Sequence, residues 1–214
     1  MVEQEETKWL LRLILAFDKL REEHDKEGLN SMSIQSFAKA SALLAEVFEN
    51  LGFALKFAAM DILDKINQLT KPAVLDQFST FGALLQADVK ENSVATKGSL
   101  ARMAHNLKRA VDFVHTLLEQ IITRPDATLQ ECATATYNLT LERYHPYSVR
   151  CAVSAGLRVL PTRESFLKTL DETESSVETL GKKFLASAVP IRAALEEVYA
   201  PYESEFRKTY NQWV

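Results

Sequence analysis

Cysteine, glycine and proline are scarce in this sequence, long apolar runs are absent, and basic charge is not in excess. Each shortage excludes something. Two cysteines, Cys132 and Cys151, are too few for a disulfide framework and lack metal-ligand spacing. They read as reduced, mostly structural thiols in a cytosolic protein. With 6 Gly and 6 Pro in 214 residues, little of the chain can be linker, and no glycine-rich phosphate loop occurs. No segment reaches 18 uninterrupted apolar residues, so none spans a bilayer. The opening MVEQEETKWLLRL places acidic residues before its apolar part, the wrong order for a secretory signal. The 25 basic against 29 acidic side chains give a formal charge of -4, which argues against broad nucleic-acid binding but leaves room for a small basic pocket. H-E-x-x-H and G-x-S-x-G are both missing. The four histidines, at 24, 105, 115 and 145, are too scattered to propose a metal centre. The sequence therefore predicts no metal, no cofactor and no catalytic site.

What is present is helix. Leu10, Leu13, Ile14, Phe17 and Leu20 recur at helical spacing over residues 7 to 26, giving one buried face. Ser33 is placed to cap a second helix with Phe37, Ala40, Leu44, Val47 and Phe48 inward. After a break near Glu49–Gly52, a third helix ends near Thr70-Lys71-Pro72, and a fourth covers about 73 to 91. The longest runs from about Ser99 to Ile122. Asp126 or Thr128 caps a helix over 128 to 143, and another follows Tyr144-His145-Pro146 as far as Val159. Thr162 caps a short helix to about Leu170. Two more follow, with Pro190 starting or kinking the last. The terminal FRKTYNQWV packs down, Trp213 being the residue most able to stay exposed. No strand-type alternation and no internal repeat are visible. The reading is all-α: a single domain over 1–214, its core about 8–200, with about eight helices.

Three polar units stand out. FAAMDILDKINQL, residues 57 to 69, sets Asp61 one helical turn before Lys65 within an apolar run. That pair is either a surface salt bridge or the polar end of a greasy site. Asp61 and Asp64, three apart, could share a side as an acid–base pair, but no nucleophile accompanies them, and Asp64 reads as the polar edge of the face. In RMAHNLKRA, Arg102, Asn106 and Arg109 fall within about 60° on one helical face. Such a stripe is either solvated or an anion site, since the arginine fork matches a phosphate. In ERYHPYSVR, His145 sits at a helix start among aromatic residues. Alone it reads as a packed or capping side chain; with the two stripes it suggests a ligand contact.

Taken in order, these segments resemble the glycolipid transfer protein superfamily, and within it the ceramide-1-phosphate branch, which has plant members linked to cell-death control. The likeness is carried by LGFALKFAAMDILDKINQL, NLKRAVDFVHTLLEQII and YHPYSVRCAVSAGLRVLPTR, and spans roughly residues 8 to 200. It implies a two-layer helical sandwich that takes up one sphingolipid, the head group on a polar patch and the chains between the layers. It further implies that Asp61 holds the lipid amide N–H and sphingoid hydroxyl, that His145 holds the amide carbonyl, and that Lys65 and Arg102 contact the phosphate. Arg109 matches a basic residue one turn below the head group. Asn106 departs from the pattern, standing where the phosphate-binding branch has a second arginine and near where sugar-binding members have a stacking tryptophan. Tyr147 replaces the usual tryptophan after the histidine and keeps a ring suited to a pocket rim or membrane contact.

The function this implies is a non-enzymatic sphingolipid carrier, cytoplasmic with transient membrane association, favouring a monomer and moving ceramide-1-phosphate or a related phosphosphingolipid. A carrier or sensor of a neutral sphingolipid or glycosphingolipid, and a helical adaptor without cargo, are the alternatives. Phe17, Phe37, Phe48, Phe53, Phe57, Phe113 and Leu118 are candidate chain-lining residues, though a plain core would use the same types.

Overall fold

A computed structural model describes residues 8–210. The helices are α1 (Trp9–Glu27), α2 (Ile34–Asn50), α3 (Lys56–Leu69), α4 (Pro72–Gln77), α5 (Phe81–Lys90), α6 (Leu100–Thr123), α7 (Leu129–Thr140), α8 (Tyr147–Leu157), α9 (Arg163–Thr169), α10 (Glu174–Ser176), α11 (Lys182–Tyr199) and α12 (Glu203–Tyr210). Eight of these exceed eight residues, and among the described residues there is no strand beyond one isolated bridge.

Local chemistry fixes the starts of several helices. Ser33, Ser99, Thr128 and Thr162 each accept a backbone N–H in the first turn of the helix they precede. Thr128 and Glu131 form a full capping box. The expected helix over 73 to 91 is in fact two, because Thr80 caps a new start by accepting from Ala83 N–H. The break is held from outside: Ile34 N–H donates to the Ser79 carbonyl and Phe81 N–H to that of Met32. Gly82 allows this closeness, since a Cβ there would lie 2.2 Å from Asn30 Oδ1. Pro190 neither starts a helix nor ends one; it lies inside α11, which grows out of α10 through a π-helical turn at Val177–Gly181. The helix after Pro146 stops at Leu157, two residues short of the expected end. Tyr202 lies in a 3-10 turn leading to a separate α12, and Trp213 is outside the described residues.

The helices form a two-layer sandwich threaded by α6, which packs on α2, α3, α5, α7 and α11, while α1 lies against α2 and α11. Leu10, Leu13, Phe17, Phe37, Leu44, Phe113, Phe184 and Ile191 are among the residues buried between them. Charge also ties α6 to α11. Lys108 bridges Asp112 at 2.9 Å and pairs with Glu196, and Asp112 binds Arg192 Nε at 3.0 Å. The first turn of α1 has no side-chain cap of its own; Glu172, 4% exposed, accepts Leu10 N–H at 2.8 Å and Ser176 Oγ–H at 2.6 Å. Glu172→Ala removes a charged acceptor from a helix N-terminus and is expected to lower unfolding free energy by about 1.5–3 kcal/mol in urea titration.

Two lining candidates are misplaced by the sequence reading. Phe53 is 79% and Phe57 67% exposed, whereas Phe17, Phe37, Phe48, Phe113 and Leu118 are buried. The buried stripe of α3 runs through Ala59, Ile62 and Leu69, which turns Phe57 and Met60 outward. Cys132 is buried, but Cys151 is exposed on α8, so only the first fits the structural role expected.

Candidate functional site

Asp61 and Lys65 lie on one flank of the α3 stripe and form an ion pair at 2.7 Å, one helical turn apart as their spacing requires. Lys65 Nζ also reaches Asp64 Oδ2 at 3.1 Å, so one ammonium is shared by two carboxylates. The lysine side chain is 19% exposed and the aspartates more than half. Burial alone would lower the lysine pKa, but hydrogen bonds and charge from Asp61 and Asp64 outweigh it and raise it. Asp64 is pulled below the usual carboxylate range, chiefly by its hydrogen bond from Lys65.

On α6, which packs beside α3, Arg102 and Arg109 are buried and Asn106 is half-buried. A solvated stripe is thereby excluded for both arginines. Ser99 Oγ accepts from Arg102 N–H, fixing the first turn, and Arg102 Nη1 donates to the Ala95 carbonyl at 3.1 Å. Arg109 lays its guanidinium 4.0 Å from the ring centroid of Tyr144.

That tyrosine is the organising residue the sequence reading missed. Tyr144 is buried, and its hydroxyl donates to Glu203 of α12 at 2.7 and 2.8 Å. Glu203 also lies 3.4 Å from His105 Nε2, and Phe206 of α12 stacks on the His105 ring at 3.8 Å. Burial pushes the Glu203 carboxyl up, but hydrogen bonds from His105 and Tyr144 prevail and hold it at about 2. The last described helix thus clamps the aromatic shelf on which Arg109 rests.

His145 follows Tyr144 directly and is half-buried. Its Nδ1 lies 3.0 Å from the Tyr137 hydroxyl. Burial, helped by the Arg109 charge, drops its pKa to about 4, so the ring is neutral at pH 7. The 4.0 Å contact of Arg109 with Tyr144, the chain continuity of Tyr144 with His145 and the 3.0 Å approach of His145 to Tyr137 join these four residues in one cluster. Tyr147, 75% exposed, stands one turn of chain away at the start of α8.

A groove of about 680 Å³ runs between α7 and α8, lined by Tyr137, Tyr147, Arg150 and Cys151 among others, and not by Asp61, Lys65, Arg102, Asn106 or Arg109. Among the described residues, no group of three or more His, Cys, Asp or Glu is placed to hold a metal, and no helix is long and apolar enough to cross a membrane.

Residues 32–172, two thirds of the chain, match the family model described as glycolipid transfer protein (GLTP). The chain belongs to the glycolipid transfer protein family. Among curated relatives, accelerated cell death 11 of Arabidopsis thaliana is 30% identical over 200 residues, covering 93% of this chain and 96% of the relative. The human ceramide-1-phosphate transfer protein is 27% identical over 194 residues, covering 85% and 88%. Among solved structures, an aspartate-to-alanine variant of Arabidopsis accelerated-cell-death 11, complexed with ceramide-1-phosphate, superposes with a TM-score of 0.83 at 28% identity, covering 92% of this chain and 97% of that one. Family membership extends the helical-sandwich fold to this chain, and the likeness includes accelerated cell death 11 and the ceramide-1-phosphate transfer protein.

Proposed function

We propose that this protein is a non-enzymatic carrier that extracts one ceramide-1-phosphate-type sphingolipid from a membrane and delivers it to another. The observation that carries this reading is the pairing of cations with a neutral imidazole on adjoining elements. Lys65 stands on α3, Arg102 and Arg109 are sunk into α6, and His145 is neutral beside Arg109. A phosphate leaving water needs paired donors, and guanidinium and ammonium groups supply them. In this reading Asp61 accepts from the lipid amide N–H and sphingoid hydroxyl, and His145 donates to the amide carbonyl. The chains take up the interlayer core, where each CH₂ removed from water contributes roughly 0.8 kcal/mol.

An exposed apolar patch supports membrane visits. Phe53, on the 3-10 turn before α3, and Phe57, in its first turn, have ring centroids 6.3 Å apart, and Met60, 65% exposed, follows Phe57 one turn along α3. The 3-10 turn carrying Phe53 packs on α8, whose Tyr147 is also exposed. Exposed aromatic rings beside a lipid head-group site suit a bilayer interface. The working form is a single domain in the cytoplasm that takes one lipid and catalyses no bond change.

The test is vesicle-to-vesicle transfer of fluorescent ceramide-1-phosphate, glucosylceramide and phosphatidic acid in parallel. Ceramide-1-phosphate is expected to move fastest; faster glucosylceramide, or no transfer of any, rejects the assignment. Asn106 favours a second reading, a neutral-sphingolipid carrier, because it withholds a charge from the phosphate side. Counting formal charges, Asp61, Asp64 and Lys65 sum to -1 and the two arginines to +2. Asn106→Arg adds a third guanidinium and is expected to raise ceramide-1-phosphate transfer about 10-fold, at the low end of one charge-assisted hydrogen bond. An unchanged rate removes position 106 from the phosphate site.

A further inference from the structure

We propose that Tyr137 is a positioning residue that sets the tautomer of His145, so that its Nε2–H is the donor presented to the lipid amide carbonyl. The inference rests on the role given to His145 above and adds the group behind it.

A neutral imidazole carries one N–H and one acceptor nitrogen, and only one of its two tautomers can serve a carbonyl from a given edge. The edge of His145 away from Tyr137 is the Nε2 edge, because Nδ1 is engaged by the Tyr137 hydroxyl at 3.0 Å. Among the described residues, Nδ1 is the hydrogen-bond acceptor within reach of that hydroxyl. A phenol is a good donor, and its proton has this nitrogen to go to. Nδ1 therefore accepts, and the ring proton stays on Nε2. The opposite tautomer would set Nδ1–H against the phenol oxygen, take this acceptor from the phenol proton, and turn an acceptor nitrogen toward the lipid carbonyl.

Two further features keep the arrangement in place. Burial raises the Tyr137 hydroxyl to about 12, so it holds its proton across the physiological range, and burial with the Arg109 charge keeps His145 unprotonated. The backbone fixes the pair as well. Leu141 N–H donates to the Tyr137 carbonyl and closes α7, Tyr144 N–H donates to that of Leu141, and His145 N–H donates to that of Glu142. This 3-10 turn returns the chain so that the ring centroids of residues 137 and 145 lie 5.6 Å apart.

The experiment pairs imidazole ¹⁵N NMR of the full chain with ceramide-1-phosphate transfer, in the wild type and in Tyr137→Phe. The wild type is expected to show His145 as the Nε2–H tautomer, and Tyr137→Phe a mixture of both. Transfer by the variant is expected to fall about 3- to 10-fold, the factor one neutral hydrogen bond carries. The wild-type spectrum does not depend on the variant folding: an Nδ1–H tautomer there overturns the proposal. So does a Tyr137→Phe spectrum and rate that both match the wild type. A wild type with the Nε2–H tautomer but no transfer of ceramide-1-phosphate supports the positioning role and rejects the cargo instead, which separates the two failures.

Discussion

Lys65→Glu is expected to lower ceramide-1-phosphate transfer by more than about 100-fold while leaving the protein folded, because it removes one charge-assisted bond worth about 1.5–3 kcal/mol and adds a repulsive charge. In the wild type the Lys65 ammonium is split between Asp61 and Asp64, so it is the only cation among those three side chains. Reversal leaves three carboxylates where the phosphate must approach. The fold is expected to tolerate this. The aspartates are more than half exposed, and like-charge pairs one turn apart on a helix surface cost only about 0.2–0.5 kcal/mol each. Lys65→Ala should fall between, about 10- to 100-fold down by loss of the bond alone. Asp64→Asn should shift the other way, since it frees the ammonium from one of its two competitors. The measurement is initial transfer rate from donor vesicles, with a thermal melt on each variant. A Lys65→Glu protein that melts normally and transfers at the wild-type rate would exclude Lys65 from the head-group site.

The elements most legible in the sequence are those set by local rules. Caps at Ser33, Thr128 and Thr162 and the Asp61–Lys65 pair depend on neighbours three or four residues away, and the structure shows them as expected. The misses share a different cause. The break at Thr80 is imposed by Met32, Ile34 and Asn30, about fifty residues back. Of the two readings open for Pro190, the start of a helix is ruled out by its place inside α11, and no local pattern makes that choice. Phe53 and Phe57 look like core until the stripe of α3 is fixed by its packing partners. The site divides the same way. Residue types at Arg109 and His145 point to a ligand, but Tyr144, backed by Glu203, and Tyr137, which hold them, act across 59 residues or across a helix end. Tyr144 lies within the local RYHPY unit, whereas its partner Glu203 is on α12.

Acid is expected to destabilise this protein well before its carboxylates titrate. His105, His115 and His145 are each pushed to about 4, in every case first by burial. Around His105, Arg109 and Lys108 reinforce burial while Glu203 opposes it; around His115, Arg192 reinforces while a backbone hydrogen bond at Leu185 and the Asp112 charge oppose; around His145, Arg109 reinforces. The sign follows directly. A histidine held neutral in the fold is protonated first in the unfolded chain, near pH 6.5, so stability is complete above that pH and declines as pH falls toward 4. Each of the three contributes up to about 3 kcal/mol of this loss, a large part of the stability of an ordinary domain. Glu203, held at about 2, keeps its contribution through this window and gives it up only below pH 4.5. Urea unfolding at pH 7.5, 6.0 and 5.0 is therefore expected to show a steep decline with up to three protons taken up on unfolding. His115→Gln should remove one of them, because it replaces a titrating group at the Arg192 contact with one that does not titrate. Equal stability at pH 7.5 and 5.0 would mean that these rings are not held neutral in the fold.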